Sequence, residues 1–127
     1  MLEINPEIIC CIVEKARQFH VKEEVVIPEP PLNPADFTSF QILADHTDDP
    51  IYSEFLSIIR DLENDQKIVV IALLWIGRGD YSLEEWEIAK DNAKLINPKK
   101  VGQYLLSHPL LADYLLEGLA QFGYSCE

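Results

Sequence analysis

The chain has 127 residues and a formal net charge of -12, from 22 acidic against 10 basic side chains. An excess of that sign repels phosphate backbones and anionic lipid, which sets nucleic acid and a bare membrane surface aside as direct partners. A hydrophobic fraction of 48% supports a buried core at this length, and residues 1–127 read as one domain.

The N-terminal sequence MLEINPEIICC lacks the basic start and small-residue cleavage site of a secretory signal. No segment reaches the ~18 apolar residues of a membrane span. Cysteines stand at 10, 11 and 126. An odd count without framework spacing points to reduced thiols and a cytoplasmic location.

Asn5-Pro6 opens the first helix. Asn accepts from the free N–H groups of a first turn, and Pro is tolerated at the first helical position. Ile8, Ile9, Ile12, Val13, Ala16 and Phe19 then recur at three and four, which predicts a helix over residues 6–20. The next stretch changes character. Pro28, Pro30, Pro31 and Pro34 fall within seven residues, too dense for a helix or an inner strand. Phe37, Phe40, Ile42 and Leu43 make it too apolar for a free tether. Residues 21–49 therefore read as an ordered crossover strapped over the helices, with an extended piece at 25–27 and a short helix near 34–44. A flexible linker is the alternative.

Asp49-Pro50 repeats the helix opening, and Ile51, Phe55, Ile58, Ile59 and Leu62 keep helical spacing. Asn64 and Asp65 supply a cap for the segment that follows. Residues 68–76, IVVIALLWI, are nine apolar residues without a break. Such a run has no wet face, so other segments must enclose it. Its β-branched content is compatible with a buried strand. Every neighbouring segment has the 3.6 period and no partner strand is visible, so a central helix over 66–76 is preferred, stopped by Gly77 or Gly79 in the left-handed conformation.

Ser82 and Glu85 have capping-box spacing. Leu83, Trp86, Ala89, Ala93 and Ile96 form the next helical face. Asn97-Pro98 and His108-Pro109 open two more helices. Val101, Tyr104 and Leu105 face inward in one, and Leu111, Tyr114, Leu115, Leu119 and Phe122 in the other, which ends near Gly123. The fold class is all-α: a single compact domain of five or six helices around a central apolar helix, with a proline-rich crossover after the first.

The turn Gly77-Arg78-Gly79-Asp80-Tyr81-Ser82 is the best candidate for chemistry. Glycines allow close backbone approach, Arg78 presents a planar fork of donors, and N–H groups at the start of the Ser82 helix add to an anion site. Trp75, Trp86 and Tyr104 would wall it. The structural alternative is plain: Gly ends one helix, Ser caps the next, and Arg78 pairs with Asp80. A calcium loop ending at Glu85 fails on position, because Leu74, Ile76 and Arg78 would be its early ligands. His20, His46 and His108 show no short metal-ligand spacing, so no metal and no cofactor is expected. No nucleophile motif appears, and no catalytic residue is assigned. His108 reads as a capping-region residue before Pro109.

Charge is uneven along the chain. Residues 45–65 hold seven acids against one base, Arg60, whereas residues 90–100 hold four bases against one acid, Asp91. Opposite patches allow self-association or a protein partner.

The blocks WIGRGDYSLEEWEIA and QYLLSHPLLADYLLEGL resemble the bacterial domain-of-unknown-function family 3775, over roughly residues 62–119. The resemblance implies a bacterial, mostly helical protein and carries over no activity and no catalytic residue. Two functional readings stand. One is a non-enzymatic protein–protein interaction module or homodimer. The other is a small-ligand or enzymatic site at residues 77–82, with Arg78, Asp80, Ser82, Trp75, Trp86 and Tyr104 as its ligand-binding residues and a small anion at Arg78.

Overall fold

The computed structural model describes residues 4–23, 50–108 and 110–126. Among them are six α-helices and no strand: α1 (Pro6–Glu23), α2 (Pro50–Arg60), α3 (Asn64–Arg78), α4 (Trp86–Ala93), α5 (Val101–Leu106) and α6 (Leu111–Gln121). Single 3-10 turns, Leu83–Glu85 and Pro98–Lys100, lead into α4 and α5. The ordered crossover expected over 21–49, with its extended piece and short helix, lies outside the described residues except for 21–23. Those three residues continue α1 past its expected end at His20.

The unbroken apolar run is helical. A helix satisfies its own backbone hydrogen bonds, so it can be buried on every side without partner strands. Every residue of α3 from Val69 to Ile76 is buried. Around it pack α4, α5 and α6, while α1 covers α6 and α2, and α2 leans on α5. One continuous core results, with Trp75, Tyr104, Phe19 and Phe55 as its largest fully buried side chains.

Local signals set the boundaries. The Asn5 side chain accepts from Glu7 N–H at 2.9 Å, and Asn97 accepts from Lys99 N–H at 2.9 Å. The cap of α3 falls one residue earlier than expected. Glu63 is the N-cap, and its N–H donates to the Gln66 side chain at 2.9 Å. At the other end Gly79 has φ 88°. Its N–H reaches the Ile76 carbonyl at 3.2 Å and Asp80 N–H reaches Trp75 at 3.0 Å, the two bonds of a Schellman stop.

Gly77 does not stop the helix. It sits inside α3 where the α6 backbone crosses closely, and a Cβ there would lie 1.7 Å from the Tyr114 carbonyl oxygen. Gly118 on α6 does the same in reverse, since its Cβ would lie 2.6 Å from the Leu73 carbonyl. These two glycines bring α3 and α6 into near backbone contact.

The expectation of three reduced thiols is corrected. Cys10 of α1 and Cys126 of the C-terminal tail form a disulfide with a Cα–Cα distance of 5.5 Å, and Cys11 is free and exposed. The α1–α6 packing returns the tail to the first helix, a juxtaposition that cysteine spacing alone does not reveal. Among the described residues, no helix is long and apolar enough to cross a membrane.

Candidate functional site

The end of α3 delivers Trp75 and Arg78 to one corner of the molecule, and the Schellman turn swings Asp80 back over them. Arg78 Nε pairs with Asp80 Oδ2 at 3.3 Å, with both side chains largely covered. Its Nη1 lies 3.0 Å from His108 Nε2, and the guanidinium carbon sits 6.0 Å from the centre of the Tyr114 ring.

His108 is wholly buried, at 0% exposure. Its Nδ1 lies 2.9 Å from the Tyr104 carbonyl and 3.3 Å from that of Leu105. Carbonyls only accept, so Nδ1 carries the proton. Nε2 is then the acceptor for an Arg78 N–H, and the ring is neutral. The Tyr104 ring meets His108 edge-on at 5.0 Å. Trp75 Nε1–H donates to the Tyr104 hydroxyl at 3.1 Å. Burial pushes the Tyr104 phenol above its usual value, opposed by the Trp75 donor and the Arg78 charge. Tyr81 stacks at a tilt on Trp75, 5.7 Å between ring centres, and its hydroxyl accepts from the Asn92 amide at 2.7 Å.

Of the residues singled out from sequence, Trp75, Arg78, Asp80 and Tyr104 converge here. Ser82 and Trp86 have other engagements. The Ser82 N–H and hydroxyl both donate to Glu85 Oε1, at 3.0 and 3.3 Å, so the serine organises the turn into α4. Trp86 packs edge-on against Phe122 at 4.8 Å, with the Lys90 ammonium 5.6 Å from its ring centre. Tyr81 comes with the predicted turn, and His108, Asn92 and Tyr114 join the corner from elsewhere in the chain. The reading of His108 as a capping residue is incomplete: its carbonyl does accept from Leu111 N–H at 3.1 Å, while its ring serves the buried network. A lone His before Pro gives no signal of that second task.

The arrangement immobilises Arg78. Two of its nitrogens are engaged by Asp80 and His108, and its face by Tyr114, which turns the donors inward. Three clefts lined by described residues lie elsewhere. One of about 220 Å³ includes Lys67, Arg60 and Lys99. Another, of about 330 Å³, runs between Asp65 and Lys94. A third, of about 500 Å³, lies beside Cys10 and Cys126. No group of His, Cys, Asp and Glu able to hold a metal occurs among the described residues.

These features define an all-helical domain wound about one apolar helix and locked at its end by a buried arginine–histidine corner. The chain belongs to the family Protein of unknown function (DUF3775), whose model matches residues 52–124. The match runs from α2 to the tail beyond α6 and so takes in the whole corner, further in both directions than the resemblance carried by the two sequence blocks. Comparisons with curated proteins and with solved structures found no match.

Proposed function

We propose that this protein is a non-enzymatic interaction module of the bacterial cytoplasm that associates with a second copy of itself through the outer face of α4. The supporting observation is a pair of exposed apolar side chains. Ile88 is 53% exposed and Leu95, in the turn that continues α4, is 72% exposed. They stand seven residues apart, which puts them on one face two helical turns from each other. A two-fold axis midway between them sets Ile88 of each copy against Leu95 of its mate.

Two side chains fall far short of the about 800 Å² per partner typical of a stable interface, so the dimer is weak and concentration-dependent. The opposed charge patches lend less support. Lys90 pairs with Glu87 at 3.1 Å and Lys94 with Asp91 at 3.3 Å, and Asp65 lines the same cleft as both lysines. Much of that contrast is absorbed inside one molecule. With a net charge of -12 on each copy, added salt should screen repulsion and favour the dimer.

Sedimentation velocity over a dilution and salt series tests this reading. The expected result is a dimer fraction that grows with protein and salt and disappears in Ile88→Glu. A wild type that stays monomeric throughout and captures no partner protein overturns it. The cytoplasmic setting has its own test, because a bond between Cys10 and Cys126 would be transient there. Alkylation at the moment of lysis should find this bond open in part of the population, and a bond closed in every molecule argues for another compartment.

A further inference from the structure

We propose that the cleft between α2 and α5 binds a small aliphatic carboxylate through Lys67, Arg60 and Lys99. Lys67 lies in the first turns of α3, inside the family-matched region, and is only 9% exposed. Lys15, Arg78, Lys90 and Lys94 each pair with a carboxylate. Lys67 forms no such pair among the described residues and instead lines the cleft of about 220 Å³. The other charged residues lining it, among those described, are Arg60 and Lys99. Acids outnumber bases 22 to 10 in this chain, yet among the described residues the charged side chains lining this cleft are all basic.

Burying an ammonium group without a counter-charge is costly, and crowding two further cations beside it adds repulsion. A bound anion offsets both. The bland account is that the Lys67 methylene stem covers apolar surface while its ammonium reaches cleft water. That explains one lysine but not the convergence of three cations from α2, α3 and the turn before α5. Arg60 spends one nitrogen on Ser57 Oγ at 3.0 Å and keeps other N–H groups.

Size and walls narrow the ligand. Drug-sized pockets begin at roughly 300 Å³, so this cleft suits a smaller molecule. Leu56, Ile59 and Pro98 supply apolar walls, which favour a carbon chain over a bare inorganic anion. Gly102 lets the Leu56 side chain lie close against α5, since a Cβ there would come within 2.6 Å of Leu56 Cδ2 and turn that side chain aside.

The test is an amide-shift titration of the full chain with acetate, butyrate and succinate at constant ionic strength, with inorganic phosphate and sulfate as separate arms. Saturable shifts at the Gly102 and Lys99 amides are expected with the carboxylates. Lys67→Met keeps the stem and removes the charge, and should weaken binding about ten- to hundredfold, the usual worth of a hydrogen bond to a charged group. If Lys67→Met does not fold, the exposed Lys99→Gln and Arg60→Gln carry the same test through reduced affinity. The proposal is overturned by carboxylates that produce no saturable shift, by phosphate or sulfate shifting these amides when carboxylates do not, or by folded variants that bind as tightly as the wild type.

Discussion

Replacing Gly77 with Ala should be among the most damaging single-methyl additions this protein can receive. The added carbon would lie 1.7 Å from the Tyr114 oxygen, 2.6 Å from its carbonyl carbon and 3.0 Å from its Cα. Side-chain Cβ atoms essentially never approach closer than 3.0 Å, so α3 and α6 must separate by at least ~1.3 Å (3.0 less 1.7). The obstacle is backbone, so no rotamer change relieves it. A gap of that size forfeits roughly a quarter to a half of each dispersion contact across the seam. Leu73, Leu111, Leu115 and Leu119 are fully buried, and burial of such side chains is worth about 1.5–3 kcal/mol each. Losing a quarter of that from the four, with overpacking strain of about 1–3 kcal/mol, outweighs the about 1 kcal/mol that Ala gains over Gly in a helix. The net loss should be about 3 kcal/mol, read as a lower urea midpoint at unchanged slope. Gly118→Ala opens the same seam, so the double variant should cost less than the two losses added. If Gly77→Ala unfolds at or above the wild-type midpoint, α3 and α6 do not approach as described.

Tyr104→Phe leaves the Trp75 indole N–H without its acceptor and should cost about 1–3 kcal/mol by denaturant unfolding. The same phenol shapes alkaline stability. Its value is raised in the folded state above the ordinary 10.0, so above pH 10 the unfolded chain releases a proton that the folded one keeps. Stability should therefore fall as pH rises from 10 toward the folded value, and Tyr104→Phe should flatten that part of the slope. An identical alkaline profile in the variant refutes the assignment. Cys126→Ser should lower stability by up to about 4–5 kcal/mol on the chain-entropy account of a bridge spanning 116 residues. A melting temperature unaffected both by this change and by reductant would show that the bridge does not constrain the unfolded chain.

Most of the helical layout was legible because its signals are local. Asn5 and Asn97 cap the turns that their Asn-Pro pairs announced, and the nine-residue apolar run is a helix, buried from Val69 to Ile76, among neighbours that all share the 3.6 period. What escaped reading depends on which segments meet. Gly77 and Gly79 look alike as helix stops, yet only Gly79 has the positive φ, and Gly77 is needed because Tyr114 passes over it. His108 is bound to Arg78 across 30 residues, a pairing that no spacing rule marks. Nearness in sequence groups Ser82 and Trp86 with Arg78, but the turn sends them to Glu85 and Phe122. Nothing in the sequence around Lys67 marks it, because its burial beside Arg60 and Lys99 depends on how α2, α3 and the turn before α5 meet.

The bond between Cys10 and Cys126 makes the backbone between them a covalent ring. A protease that severs one peptide bond anywhere in that ring frees no fragment: the piece bearing α1 and the piece bearing α6 stay one molecule until a thiol reopens the bridge. For the oxidised form, cleavage and loss of mass are thus separate events, and a nicked chain keeps its electrophoretic identity unless reductant is in the sample.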